Sequence, residues 1–182
     1  MSERGKGPGI EIRMAVDDLY SEYLWALDTQ DIDLYIGTFW PEASFIETQL
    51  DGTVETWTGA RNIREFSESH FGGYRGHQHR ESNRLYLPAA DSDEGAARWQ
   101  VRSYWSTSHR ENGEVSFSST GHSRDVVEER DGTWRFIQRW VERWPGDLTH
   151  PLAQESAASA DPLAAGAEPA EPVASAPAPA VR

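Results

Sequence analysis

The chain has 182 residues, a length that fits one domain with a tail. Its formal net charge of −13 disfavours nucleic acid and anionic membrane surfaces as partners, because like charges repel. The absence of cysteine excludes disulfides and thiolate metal sites, and no apolar run is long enough to span a membrane. The polar first residues lack the apolar core of a signal peptide, so we expect a cytoplasmic location. Eight tryptophans predict a large aromatic interior, or a pocket for a flat apolar ligand.

The N-terminal part is predicted to be helical. Apolar residues recur with a helical period from Ile10 to about Thr29. Asp31 is a candidate N-cap for a second, short helix from Ile32 to Phe39, which Pro41 would end. A hairpin is predicted next, with the strands ASFIET and VETWTG around a turn at Asp51-Gly52.

After a third predicted helix, Ala60 to Phe71, which ends at Gly72-Gly73, the rest of the body has the pattern of strands. Four strands joined by short turns predict an antiparallel meander, since parallel neighbours need crossover helices for which no sequence is left. The class is therefore α+β. The predicted strands are His77–Leu87, Ala96–His109, Val115–Arg130 and Thr133–Trp144.

The composition changes abruptly after Pro145. Residues 146–182 contain no aromatic residue and six of the ten prolines, and they end as AEPAEPVASAPAPAVR. Such a segment buries too little apolar surface to offset its loss of conformational entropy on ordering. We therefore predict a flexible N-terminus over residues 1–9, a folded domain over residues 10–145 and a disordered tail over residues 146–182.

A family resemblance is carried by four segments in this order: LYSEYLWALDTQDIDLYIGTFWPEASF, TWTGARNIREF, HQHRESN and GHSRDVVEERDGTWRFIQR. Together they resemble the SnoaL-like branch of the nuclear-transport-factor-2-like superfamily over roughly residues 10–145. The resemblance implies a cone-shaped, curved antiparallel sheet wrapped over N-terminal helices, with an internal, mostly apolar cavity. Members include dehydratases, dehydrochlorinases, isomerases, polyketide cyclases and epoxide hydrolases, besides non-catalytic subunits, so the fold alone leaves the chemistry open.

The same resemblance implies a catalytic set. Asp28 matches a carboxylate that several lyases of the family pair with a histidine, and His79 matches that histidine, which serves as general base. Arg139 matches an arginine that some of these lyases place in the pocket, and Tyr23 matches a tyrosine of a steroid-dehydratase-like subgroup. His122 lies near a second histidine of scytalone-dehydratase-like members. The predicted substrate-binding residues are Trp25, Trp57, Tyr104 and His122.

Strand alternation and the helix dipole support roles for His79 and Asp28 independently of the family resemblance. His79 alternates with Leu85 and Leu87 on one predicted strand face, which suggests that this face points inward. A neutral imidazole in an apolar cavity accepts a proton near pH 7, and a nearby carboxylate fixes its tautomer. Asp28 lies in the last turn of the first helix, where the helix dipole disfavours a carboxylate, so helix stability does not explain it. The alternatives are a core histidine bonded to backbone and a solvated loop carboxylate.

Tyr23 and Arg139 keep structural alternatives open. Tyr23 lies about 140° from Asp28 around an ideal helix, so a core tyrosine is the competing interpretation. Arg139 lies opposite Phe136 in the strand alternation and needs an acceptor if it is buried. Because Arg143 continues the same face, a solvent-facing basic stripe competes with a pocket role.

His77 and His79 stand at i and i+2 on a strand, a spacing at which two histidines can share a metal. The acidic partner that cupin-like sites place a few residues later is missing, because Glu81 comes too soon. We therefore predict neither a metal nor a cofactor.

These observations favour a cofactor-independent lyase, dehydratase-like, or an isomerase, acting on a small apolar cyclic substrate as a homodimer or homotrimer. Hydrolysis of an epoxide, or polyketide cyclisation, is an alternative; epoxide opening needs an Asp–Arg–Asp set around a water, to which Arg102 and Asp125 would contribute. A non-catalytic module is the other alternative, since Arg98 to Arg139 also resembles the small subunit of ring-hydroxylating dioxygenases. That interpretation predicts a pocket closed by large side chains and Asp28 too far from His79 to touch it.

Overall fold

Three helices and six strands make up the part of the chain that the structure describes. A computed structural model gives residues 7–71, 76–89 and 97–144, so the predicted end of the third helix at Gly72-Gly73 and the predicted tail lie outside it. No helix in these ranges is both long and apolar enough to cross a membrane. The helices are α1, Ile10–Thr29; α2, Ile32–Gly37; and α3, Ala60–Phe71. The strands are β1, Phe39–Thr48; β2, Val54–Thr58; β3, His77–Pro88; β4, Arg98–Glu111; β5, Glu114–Arg130; and β6, Thr133–Arg143.

The second helix starts as predicted and ends early. Asp31 caps it, because its Oδ1 accepts a hydrogen bond from the Leu34 N–H at 3.0 Å. The helix ends at Gly37, and Phe39 already pairs with Phe136 in the sheet. Pro41 therefore does not stop the helix: it lies within β1, where a register shift interrupts the pairing and no donor is required of it.

The six strands form one curved, unclosed sheet in the order β2-β1-β6-β5-β4-β3. The meander from β3 to β6 is antiparallel, as predicted. The expectation that every strand pair is antiparallel is wrong for β1 and β6. These two strands run parallel, with Phe45 opposite Arg139. Parallel strands need a long crossover, and here β2, α3 and the first three strands of the meander together provide it.

A bulge in β3 decides which of its side chains face inward. The pairing with β4 shifts between Ser82 and Leu85, and Asn83 has a φ of 58°. One extra residue reverses the alternation of faces, so Leu85 is 49% exposed while Tyr86 is buried. Leu85 therefore does not share the inward face of His79, contrary to the prediction.

A second bulge, in β6, has the same effect near Arg139. Val127 pairs with Phe136 and Val126 pairs with Gln138, which leaves Ile137 as the extra residue. Phe136 and Arg139 consequently lie on the same, inner face, although simple alternation predicted opposite faces. The Arg139 guanidinium carbon is 5.2 Å from the centre of the Phe136 ring.

The core between α1 and the sheet is aromatic, but it is built from tyrosine and phenylalanine. The Tyr20 and Phe136 rings pack edge to face at 5.1 Å between centroids. The buried aromatic residues of the described chain include no tryptophan. Tryptophans lie at the margin instead, where the indole N–H finds an acceptor; Trp40, for example, donates to the Glu128 carbonyl at 3.1 Å.

Candidate active site

A cavity of about 240 Å³ lies between the helices and the inner face of the sheet. Its wall is mostly apolar, with aliphatic and aromatic side chains from α1, α3 and β1. This volume is slightly below the roughly 300–1,000 Å³ of ordinary ligand pockets, so a compact ligand is favoured. The four residues predicted to be catalytic all line the cavity: Tyr23, Asp28, His79 and Arg139.

Asp28 and His79 are in direct contact. The Asp28 Oδ1 is 2.7 Å from the His79 Nδ1, and both side chains are mostly buried. The backbone N–H of His79 also donates to both carboxylate oxygens, at 3.0 and 3.1 Å. Because a carboxylate only accepts hydrogen bonds, Nδ1 carries the hydrogen in the neutral ring and Nε2 keeps its lone pair.

The position of His79 on an edge strand explains this arrangement. β3 pairs only with β4, so alternate backbone N–H groups along it have no strand partner. Helix α1 ends beside this edge, since Gln30 turns the chain in a left-handed conformation at φ 60°. The Asp28 carboxylate, which the helix dipole disfavours, is thereby stabilised by donors from the sheet.

Tyr23 lines the same cavity despite its offset from Asp28 around the helix. Leu24 and Leu27 line it as well, so the cavity covers a broad sector of the last turns of α1. The Tyr23 hydroxyl lies 3.4 Å from that of Tyr35. Burial raises the pKa of both phenols, so both stay protonated and able to donate near neutral pH.

Arg139 is buried and paired, which excludes a solvent-facing role for it. It is 2% exposed, donates to Asp125 Oδ2 at 2.6 Å and also donates to Glu81 Oε1. Burial by itself lowers the pKa of Arg139, but the charges of Asp125 and Glu81 outweigh burial and hold it well above its ordinary value. Arg143, on the same strand face, lines the cavity and donates to Glu47 at 2.9 Å.

Asp125 is fully buried behind Arg139. It accepts hydrogen bonds from the Tyr20 hydroxyl at 2.6 Å, the Ser123 hydroxyl at 2.9 Å and the backbone N–H of Trp140 at 3.1 Å. Burial raises the pKa of Asp125 to about 6; the Glu81 charge adds to the rise, while Arg139 opposes it. Asp125 is therefore a buried acid that titrates close to neutral pH.

The free energy of unfolding is expected to rise by about 1–2 kcal/mol between pH 7 and pH 5 through Asp125. Its folded-state pKa of about 6 lies above that of an unfolded aspartate, so the folded protein binds the proton first as the pH falls. The contribution of Asp125 to the free energy of unfolding is fully present below the pKa of an aspartate in the unfolded chain, and it is lost as the pH rises through about 6. Urea unfolding at pH 5, 6 and 7 should show the wild type gaining stability relative to Asp125→Asn as the pH falls. Parallel pH profiles for the two proteins would contradict this assignment.

A carboxylate–guanidinium–carboxylate set does exist, but from partly different residues than the epoxide-hydrolase alternative proposed. Glu81, Arg139 and Asp125 form it, whereas Arg102 is not among the residues that line the cavity. Asp125 does not line the cavity either, so Glu81 is the carboxylate of this set that can meet a ligand.

The predicted substrate-binding residues are not brought to the cavity wall. Trp25 is 68% and Tyr104 49% exposed. His122 is buried on the other face of β5, with its Nε2 2.9 Å from Glu142 Oε2. Trp57 stacks on Phe66, with 3.7 Å between centroids, and so backs a residue that lines the cavity. Strand alternation explains Tyr104 and His122, because their neighbours Ser103 and Ser123 point inward and bond to each other.

His77 lines the cavity next to His79, with their ring centroids 6.5 Å apart, and it stacks on His109. Within residues 7–71, 76–89 and 97–144, no three histidine, aspartate or glutamate side chains converge as metal ligands.

Tyr35, His70 and Glu81 are among the cavity residues to which the sequence interpretation gave no role in the site. Glu81 had a signal, since alternation places it on the strand face of His79. Tyr35 had none, because its helix of six residues is too short for a periodic pattern. Burial lowers the pKa of His70, so this histidine is neutral at physiological pH.

Comparison with known proteins supports the fold and the family. No curated protein matches the sequence. A protein of unknown function with a cystatin-like fold from Nostoc punctiforme is 19% identical, with a TM-score of 0.64 over 78% of this chain and 97% of its own. A putative scytalone dehydratase from Novosphingobium aromaticivorans is 22% identical, with a TM-score of 0.59 over 74% and 85%. An NTF2-like protein with a cystatin-like fold from the same organism is 14% identical, with a TM-score of 0.61 over 76% and 86%.

Identities this low demonstrate a shared fold and leave the activity open. The sequence profile of the SnoaL-like domain matches residues 9–140, which is most of the chain. This range includes Tyr23, Asp28, His79 and Arg139 of the cavity wall. The protein therefore belongs to the SnoaL-like family of the nuclear-transport-factor-2-like fold.

Proposed function

We propose that this protein is a cofactor-independent lyase of the dehydratase type, or an isomerase, in which Asp28 and His79 move a proton on a small, apolar, cyclic substrate. The observation that carries the proposal is the 2.7 Å contact between the Asp28 carboxylate and the His79 ring on the wall of a cavity. The SnoaL-like family includes cyclases and dehydratases, which supports the class of reaction.

His79 is the proposed general base. Its Nδ1–H is held by Asp28, so Nε2 accepts a proton from a carbon next to an electron-withdrawing group. The carboxylate then stabilises the imidazolium that forms, in a site screened from water. Both residues are needed, because without Asp28 the His79 ring is not oriented and the charge of its imidazolium is not stabilised.

Tyr23 and Tyr35 are the proposed donors to the substrate carbonyl oxygen. Their hydroxyls lie 3.4 Å apart on the cavity wall, and burial raises the pKa of both, so they remain neutral donors. Arg139 lies behind them with its guanidinium over the Tyr23 ring at 4.1 Å. Because two of its nitrogens are engaged by carboxylates, Arg139 acts on the substrate through the field of its charge.

An assay without added cofactor tests the proposal. The purified protein is incubated with 3-hydroxy-1-tetralone, 3-hydroxycyclohexanone and cyclohexene oxide, and the products are identified by mass spectrometry. We expect loss of water from a cyclic β-hydroxy ketone and no diol from the epoxide. Diol formation without dehydration would replace the lyase proposal by hydrolysis, and an inert protein would contradict both.

The structure also bears on the non-catalytic alternative. That interpretation predicts a filled pocket and separated Asp28 and His79, whereas the cavity has about 240 Å³ and the two side chains touch. Both observations favour an enzyme. Self-association into a homodimer or homotrimer stays a prediction, which light scattering on the purified protein tests.

A further inference from the structure

Glu81 is a buried carboxylate with one oxygen left for a ligand. It lies two residues after His79 on β3 and lines the same cavity. Its side chain has no solvent-exposed surface. Oε1 accepts a hydrogen bond from Arg139, but Oε2 has no hydrogen-bond partner among the residues that the structure describes. A buried polar atom without a partner is destabilising, so a bound molecule that donates a hydrogen bond to Oε2 gains affinity there.

The charges around Glu81 do not balance when both carboxylates are ionised. Glu81 and Asp125 share the single guanidinium of Arg139, and all three side chains are shielded from solvent. The cluster then carries one net negative charge in a medium that disfavours it. Binding one proton neutralises the cluster.

The positions of the two carboxylates decide which of them can pass that proton to a ligand. Asp125 accepts from Arg139, Tyr20, Ser123 and the backbone N–H of Trp140, and it is not among the residues that line the cavity. Within the described part of the chain, Glu81 accepts a hydrogen bond from Arg139 on Oε1 and none on Oε2. Oε2 therefore has no competing donor among the described residues, and Glu81 is a residue of the cavity wall.

We propose that Glu81 is the general acid of the reaction, protonating the departing hydroxyl of a β-hydroxy ketone through Oε2; this inference rests on the proposed lyase function. Nε2 of His79 takes the proton from the carbon next to the carbonyl as the C–H bond breaks and the enolate forms. The C–O bond then breaks, the C=C bond forms, and the oxygen leaves as water with the Glu81 proton. Transfer of the proton from the His79 imidazolium to the Glu81 carboxylate restores both groups.

The geometry adds a stereochemical consequence. Residues i and i+2 of a strand lie about 7 Å apart on the same face. The base and the acid therefore reach the substrate from one side, and water is lost by syn elimination.

A change of leaving group tests Glu81 separately from His79. The probes are 3-hydroxy-1-tetralone, whose leaving group needs a proton, and 3-chloro-1-tetralone, whose chloride does not; both give fluorescent 1-naphthol. Glu81→Gln keeps the hydrogen bond from Arg139 and loses the acid. We expect its turnover of the hydroxy compound to fall about 100-fold or more, and that of the chloro compound to change less than about threefold. His79→Gln should lose both activities.

Glu47→Gln is the matched control, because Glu47 also lines the cavity and accepts a hydrogen bond from an arginine, Arg143. It should leave the ratio of the two turnover rates at the wild-type value. Turnover of the chloro compound by Glu81→Gln shows that this variant is folded; if it does not fold, Glu81→Asp, which retains the acid, should keep the wild-type ratio.

The outcomes separate the two proposals. Equal loss with both probes in Glu81→Gln, or anti elimination from stereospecifically deuterated 3-hydroxy-1-tetralone, would overturn the role of Glu81 and leave the lyase standing. A wild type that converts neither probe would overturn the lyase function, and the role of Glu81 with it.

Discussion

Replacing His79 with glutamine is expected to lower turnover of a cyclic β-hydroxy ketone by roughly 100- to 10,000-fold, the range measured for loss of a positioned general base. Glutamine has nearly the reach of histidine but accepts no proton at neutral pH. The domain should stay folded, because the backbone N–H of residue 79 keeps its hydrogen bonds to both Asp28 oxygens. Steady-state kinetics with 1-naphthol fluorescence, beside a thermal unfolding curve, measures both effects.

Asp28→Asn should lower turnover of the cyclic β-hydroxy ketone nearly as much as His79→Gln does. The amide has only one acceptor oxygen, carries no charge to stabilise the imidazolium and no longer selects the Nδ1–H tautomer. His109→Gln is the matched control, since His109 belongs to the neighbouring strand and is not among the cavity-lining residues. Wild-type turnover in His79→Gln would contradict the mechanism outright.

Replacing Arg139 with methionine is expected to lower the free energy of unfolding at pH 7 by about 3–5 kcal/mol, the usual cost of breaking a buried ion pair by removing one partner. Methionine fills much of the volume but leaves Glu81 and Asp125 buried without a cation. Urea unfolding at pH 7 measures the loss. The loss should shrink at pH 5, because protonation of the carboxylates removes the unpaired charge.

Two further variants separate charge from packing in this result. Adding Glu81→Gln to Arg139→Met should restore part of the stability, since it removes one of the two unpaired charges. Arg61→Met is the surface control. Arg61 pairs with Glu65 on the exposed face of α3, and its replacement should change the free energy of unfolding by no more than about 0.5 kcal/mol. An Arg139→Met protein as stable as the wild type, or one equally destabilised at both pH values, would show that the buried cluster does not hold the fold by its charges.

The elements of the fold were predictable where they depend on local sequence. α1 has the predicted bounds, Ile10–Thr29, because one apolar stripe repeats along the whole segment. α3 has them too. The parallel pair of β1 and β6 was not predictable in this way, since these strands are far apart in sequence and no local signal records which distant strand lies beside β1.

The prediction of which strand side chains point inward was wrong for a related reason. His79 does line the cavity, but Leu85 does not share its strand face, because the bulge after Ser82 reverses the alternation before Leu85 is reached. Because Ile137 is an extra residue in β6, the side chains of Arg139 and Phe136 likewise lie on the same strand face. A period-two pattern holds only up to the next inserted residue, and bulges are set by pairing with a neighbouring strand.

The contact between Asp28 and His79 shows how the two sources of information combine. Family resemblance named both residues, and an ideal helix wheel made Tyr23 look remote from them. The structure brings all three to one cavity, because the end of α1 meets the free edge of β3 and the cavity covers a wide sector of the helix.

The sequence by itself determined the order of helices and strands, the family and the two residues that form the candidate dyad, since these depend on short-range periodicity and on motifs that survive in linear order. The tertiary structure alone decided that Glu81, Arg139 and Asp125 share one buried cluster. They come from three different strands, so the excess of negative charge that they create exists only once the sheet has brought those strands together. The same holds for the Glu81 oxygen that has no hydrogen-bond partner among the described residues. The electrostatics of a buried site depend on distances through space, which the order of residues along the chain does not contain.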